Sequence, residues 1–275
     1  MSLQVEARSS LDASANGKAT LVTSRRSFIA AWKLCAGVAL GLWLEARSSR
    51  AQVRNPNGGG GSPRCFLPGT RIKTTAGEIN IEELRIGDNV LTASGEAKPI
   101  KFIGRRKLSR ERSGAWKNGE GPVKISRFAI DGKAPHSDLY VSPAHAIFID
   151  GILIPASNLV NGVTIVADAN PDALSLTYLH IELDTHEAIL AEGLAVESFQ
   201  RDNLHAFDNA DEYVRLYGSP SEPLTPFAPI VRYHSSRQEL ASHIRSALAP
   251  IYDFRKPIEK VCDRIVDRLE FARAA

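Results

Sequence analysis

Between residues 65 and 198 the apolar positions come in short runs broken by Gly, Asp, Ser and Pro. Such a pattern predicts strands, because a helix spreads its apolar residues at intervals of three and four. Residues 71–74 and 79–81 flank Thr75-Ala76-Gly77-Glu78, a hairpin signal. Residues 89–92, 99–103 and 123–128 are further short β-like runs, with Asp88 and Ser94-Gly95 marking turns. Asp150-Gly151 joins 146–149 to 152–154 and is the strongest hairpin cue in the chain. After 164–167, residues 178–184 alternate cleanly: Leu179, Ile181 and Leu183 point one way, His180, Glu182 and Asp184 the other. Many short strands at this spacing predict an all-β domain, closed or strongly curved, over residues 65–198.

The pattern changes on both flanks. Residues 201–217 are polar and aromatic, and 219–229 are proline-rich and read as irregular. Leu240, Ile244, Ala247 and Leu248 lie at helical spacing within 237–248. Pro257 opens a second amphipathic helix with Ile258, Val261, Cys262, Ile265 and Leu269 on one face and interleaved charges on the other. The extension 199–275 therefore carries two helices, which either dock on the β domain or recruit a protein partner. At the other end, Arg25-Arg26 precede an apolar run over 29–44, and Ser49-Arg50-Ala51 offers a signal-peptidase site. Residues 1–51 read as an export signal that delivers the chain to the periplasm or beyond. Ser24-Arg25-Arg26-Ser27-Phe28-Ile29 resembles the twin-arginine motif, with Ala30 where a lysine is often found. The uninterrupted apolar stretch over 34–44 is short for a bilayer span; left uncleaved, the signal would anchor the chain in the membrane. Residues 52–64 form a Gly- and Asn-rich tether, flexible by composition.

Composition narrows the function classes. A net charge of +3 over 275 residues is too weak to argue for nucleic acid or acidic lipid. Cys35, Cys65 and Cys262 form neither a disulfide framework nor a zinc pattern, and Cys35 would leave with the signal. Cys262 lies on an apolar helix stripe and reads as core; a Cys65–Cys262 disulfide in an oxidising compartment would silence the Cys65 thiol. No nucleotide, organic cofactor or metal is implied. His180, Glu182, Asp184 and His186 share a parity, which suits either a metal site or, more plainly, a solvated polar strand face.

Cys65 stands where the tether meets the first strand. A thiol at the first residue of a folded domain can attack the carbonyl immediately upstream, and that carbonyl is covalently tethered at a very high effective concentration. The plainer alternative is a small buried hydrophobe opening a strand. Cys65-Phe66-Leu67-Pro68-Gly69-Thr70, followed by Glu83-Leu84-Arg85-Ile86-Gly87-Asp88-Asn89-Val90-Leu91, resembles the opening of a Hint domain, the self-processing module of hedgehog proteins and inteins. Val141-Ser142-Pro143-Ala144-His145-Ala146-Ile147-Phe148 resembles the family's Thr-x-x-His block, with Ser142 in the Thr place. Residues 178–198, containing His186 and Gly193, resemble its C-terminal block.

The resemblance implies a pseudo-two-fold Hint β fold and a specific chemistry. The Cys65 thiol would attack the Arg64 carbonyl and convert an amide into a thioester. His145 would protonate the leaving nitrogen, Ser142 would bind the same peptide group, and water, a thiol or an alcohol would open the thioester. The tether is then the substrate in cis, and an external nucleophile is the second reactant. His186 matches the C-terminal block's histidine and is either a base for a second nucleophile or a strand-end histidine bonded to backbone. Inteins end in His-Asn, whose asparagine cyclises; Glu197 and Ser198 stand in those places, and Leu179 stands where the block carries a carboxylate. The resemblance with these departures implies cleavage at Arg64-Cys65 without splicing. A catalytically silent Hint scaffold serving as an envelope interaction module, and a cysteine hydrolase acting in trans, are the competing readings.

Overall fold

The computed structural model describes residues 64–169, 173–219, 222–232, 241, 245, 249, 253 and 255–274. The export signal and the tether up to residue 63 lie outside the described residues. So does most of the helix expected at 237–248, of which Ala241 and Arg245 are helical. The rest is all-β with a helical tail. Its strands are β1 (Arg71–Thr74), β2 (Gly77–Asn80), β3 (Asn89–Leu91), β4 (Ala97–Pro99), β5 (Phe102–Ser109), β6 (Val123–Ile125), β7 (Leu139–Val141), β8 (Ala146–Ile149), β9 (Ile152–Pro155), β10 (Ile165–Ala167), β11 (Ser175–Glu182), β12 (Ala188–Ala191) and β13 (Leu194–Glu197). The helices are α1 (Ala156–Leu159), α2 (Ala210–Tyr217) and α3 (Pro257–Ala274).

One sheet runs in the order β4-β3-β1-β12-β13-β8-β9, with β2 paired to β1. A three-stranded sheet runs β10-β6-β7, and β11 pairs with β5 as a long ribbon from Glu182↔Phe102 to Ser175↔Ser109. Every pairing between named strands is antiparallel. Turn chemistry fixes several registers. Asp150 and Gly151 both take positive φ, at 51° and 80°, which a two-residue hairpin turn requires. Glu192-Gly193 does the same between β12 and β13 at 49° and 76°. The strained Glu192 is held there because its carboxylate accepts from the Arg71 N–H (2.8 Å) and from the Arg71 guanidinium (2.7 Å). That contact pins the tip of the β12–β13 hairpin to β1.

The segment 65–67 threads between two of these sheets. Phe66 N–H donates to Leu179 O at 2.8 Å and Leu179 N–H returns to Phe66 O at 2.9 Å, tying it to β11. On its other side Leu67 N–H donates to Tyr140 O (3.3 Å) and Ser142 N–H to Cys65 O (2.8 Å), tying it to the end of β7. Side chains alternate along this short strand. Phe66 enters the main apolar core with Val141, Leu179 and Ile181, while Cys65 and Leu67 enter a second one with Phe102, Leu108, Trp116, Tyr178, Phe199, Leu204, Phe207 and Tyr213.

Phe199, Leu204, Phe207 and Tyr213 of that second core come from the chain after Ser198. The extension returns over the β5–β11 ribbon, where Asp208 N–H donates to Arg105 O (2.7 Å) and the Asn209 side-chain amide donates to Ile103 O (3.0 Å). A Cβ on Gly104 would meet the Phe207 ring at 2.7 Å, so only glycine admits that approach. The last helix also docks. Ile258, Val261 and Ile265 are buried in the main core, Cys262 packs against it, and Arg264 pairs with Asp150. Ile265→Val is expected to lower unfolding stability by about 0.5–1.5 kcal/mol in urea titrations, the cost of one methylene from a packed core; an unchanged midpoint would mean that α3 is undocked in solution.

Candidate functional site

Residues 142–145 form the turn from β7 to β8. His145 N–H donates to Ser142 O at 3.1 Å, and proline occupies the second position, which it favours in such turns. Three-residue spacing across a turn is what brings a hydroxyl and an imidazole to one place. The Ser142 hydroxyl accepts from Cys65 N–H at 2.9 Å. Together with Ser142 N–H on Cys65 O, it grips both polar groups of the Cys65 backbone. His145 is fully buried, with its ring 4.3 Å from Phe66 and 5.0 Å from His180, centroid to centroid. Neither ring nitrogen has a hydrogen-bond partner among the described residues. The buried His180 ring has none either, so the two rings share this cost.

Glu197 gathers the rest. Its Oε1 accepts from Ala146 N–H at 2.6 Å and lies 3.3 Å from Arg64 Nε, while its Oε2 faces His186 Nε2 at 3.6 Å. The β13–β8 register, Val196↔Ile147, delivers Glu197 to this spot. His186 is buried against the Phe227 ring, and its Nδ1 accepts a 3.4 Å contact from Phe227 N–H. Arg64, Cys65, Ser142, His145 and His186, all singled out from sequence, thus meet around one peptide group and one carboxylate. On the far side of Cys65, Tyr178 donates its hydroxyl to Glu120 O (2.8 Å), and Arg106 and Glu120 form an ion pair at 2.9 Å.

The sequence model of the Hint domain matches residues 64–203. The chain belongs to the Hint domain family. It is a family of self-processing domains, and the all-β architecture above is its fold. Similar solved structures include a DnaB intein from Synechocystis sp., 10% identical with a TM-score of 0.34, covering 50% of this chain and 99% of that one. The bacterial intein-like domain from Clostridium thermocellum is 12% identical with a TM-score of 0.30, covering 50% and 99%. No curated protein matches the chain.

Electrostatics in this Hint domain are set by burial. Burial pushes the Cys65 thiol well above the ordinary range; the Arg106 charge opposes this and Glu120 adds to it. Burial likewise lowers His145 to about 4, against the pull of Glu197 and with the push of Arg64, while the adjacent backbone of Cys65 and Glu197 favours the imidazolium. His180 falls well below its usual value through burial, then through the charges of His145, Arg64 and His186. For Glu197 burial alone would raise the carboxyl; contact with His186 and the charges of Arg64 and His145 outweigh it and hold it below the carboxylate range. At neutral pH the site therefore rests with a neutral Cys65 thiol, neutral His145 and His180 rings and a buried Glu197 carboxylate.

Two readings from sequence need correction. His180, Glu182 and His186 do not line a solvated face: they are 0%, 0% and 2% exposed, and only Asp184 of that set is exposed. The second face of β11 is covered by Phe199, Phe207 and Tyr213, and Glu182 Oε1 accepts there from the Arg201 guanidinium at 2.7 Å. Glu197, read above only as a replaced splicing residue, is a member of the site. The signal for it was its place next to Ser198 in the C-terminal block, which named a position without saying that a carboxylate there could serve Arg64 and His186.

Proposed function

We propose that this Hint domain cleaves its own chain at Arg64-Cys65 through a thioester. The Cys65 Sγ adds to the Arg64 carbonyl carbon, the C–N bond breaks, and the thiol proton ends on the Cys65 nitrogen by way of His145. Water then adds to the thioester, leaving Arg64 as a carboxylic acid and Cys65 with a free thiol and a free amine. The observation that carries this reading is the 2.9 Å hydrogen bond from the Cys65 N–H, the leaving nitrogen, to Ser142 Oγ. It holds the reacting amide in place beside the buried imidazole, where no solvent competes for the proton. The tether ending at Arg64 is the cis substrate, and a signal at 1–51 would set the reaction in the periplasm or beyond.

The reaction ends there. Serine has no side-chain amide to cyclise, and Ser198 Oγ is engaged in accepting from Glu187 N–H at 2.9 Å. Splicing is thus not part of this function. The test is intact mass of the purified chain incubated with hydroxylamine or dithiothreitol. The expected result is release of a fragment ending at Arg64, as its hydroxamate with the first reagent. A mass unchanged under every condition would leave a silent scaffold.

A further inference from the structure

We propose that the domain selects its scissile bond by the cation that precedes it, through an acidic socket made by Glu197, Gln200 and Asp202 around the Arg64 guanidinium. This rests on the cleavage reading above and names its substrate class: an acyl group borne by arginine. The Arg64 side chain is only 11% exposed, although it sits at the boundary with the tether. Its Nε lies 3.3 Å from Glu197 Oε1, and its Nη1 lies 2.9 Å from Asp202 Oδ2 and 3.3 Å from Gln200 Oε1. Two separate carboxylates therefore read two edges of one planar group. A lysine ammonium is a point charge and cannot span both.

Two of the three socket residues are also held by contacts other than Arg64. Glu197 is fixed by Ala146 N–H at 2.6 Å. Gln200 donates its amide to Leu224 O at 3.1 Å, which turns its oxygen toward the guanidinium. All three socket residues leave the end of β13 in one stretch of chain, so the strand that packs on β8 also carries the specificity. Anchoring the side chain of residue 64 fixes its carbonyl carbon relative to Cys65 Sγ, which is the alignment an intramolecular acyl shift needs. Misplacing a reacting group by about 1 Å costs roughly 10²-fold.

The experiment measures the rate of hydroxylamine-dependent release from the full chain, with urea unfolding of each variant alongside. Arg64→Ala is expected to slow release about 10²-fold, Arg64→Lys less, and Arg64→Glu most of all. Asp202→Arg should restore part of the rate lost in Arg64→Glu, a rescue that a purely stabilising ion pair would show in unfolding and not in rate normalised to folded protein. Wild-type cleavage matched by Arg64→Ala and Arg64→Glu would overturn the socket and leave the cleavage reading standing. A wild-type chain that releases nothing would overturn the cleavage reading, and the selection with it.

Discussion

Cys65→Ala is expected to abolish release of the segment ending at Arg64, and His145→Gln to slow it by about 10²–10⁴-fold, the usual range for a positioned proton-transfer group. In the proposed cleavage the two effects differ because the thiol makes the bond and the imidazole only moves a proton. The second described thiol, Cys262, cannot replace the first: it lies on α3 and packs against the main core, whereas Cys65 enters the second one. The alanine variant removes one buried sulfur and keeps the Cys65 backbone bonds to Ser142 and Phe66's bonds to Leu179, so its fold should persist. His145 begins neutral, with about one molecule in a thousand protonated at pH 7 for a group lowered to about 4. In the proposed cleavage a neutral ring has to gain a proton before it can hand one to the leaving nitrogen, and glutamine can do neither. Ser142→Ala should cost less, up to about tenfold, since it removes one hydrogen bond to the leaving group. Release from Cys65→Ala at the wild-type rate would place the nucleophile elsewhere.

What the sequence disclosed and what it hid divide along a physical line. Local signals were readable: Asp150-Gly151 marked its hairpin, Ser142-Pro143-Ala144-His145 marked a turn that pairs a hydroxyl with an imidazole, and Ile258, Val261 and Ile265 marked one helix face. Features created by distant chain were not. The alternation over 178–184 looked half-solvated because nothing local says that residues 199–217 fold back over β11. The signal for the helix α2 was short: Ala210, Tyr213, Val214 and Tyr217 stand at helical spacing, but over only 8 residues. Glu192-Gly193 escaped as a hairpin because glutamate rarely takes positive φ; the contact that holds it comes from Arg71, 121 positions away. Strand β7 is only Leu139–Val141, too short to show alternation. Strand β6 stops at Ile125 and not at Phe128, because residues 126–129 close into a turn with Ala129 N–H donating to Ser126 O at 3.0 Å and Phe128 at a φ of 60°. Glu197 was visible as a departure from the family's final residues, yet its contact with Ala146 spans 51 positions and exists only once β13 has paired with β8.

Acidification should destabilise this domain well before carboxylates titrate. His145 has a folded value of about 4 against about 6.5 in the unfolded chain, so between those values the unfolded state binds a proton that the native state refuses. The stability carried by the neutral buried ring is complete above pH 6.5 and is lost as pH falls to 4. The shift corresponds to about 3 kcal/mol for His145, and His180, lowered in the same direction by the same burial, adds to it. Glu197 also loses stability on acidification, but its folded value lies below the ordinary carboxylate range, so its contribution falls in a lower window. The charges facing His145 oppose one another, Glu197 favouring the imidazolium and Arg64 resisting it, which leaves burial to decide the direction. Urea unfolding at pH 7.5 and pH 5 should show the loss, and the His145→Gln and His180→Gln variants should each flatten the dependence whatever their absolute stability. A wild-type stability that stays level between those two pH values would mean that water reaches the rings, and that the imidazole acts in cleavage from a solvated and partly charged state.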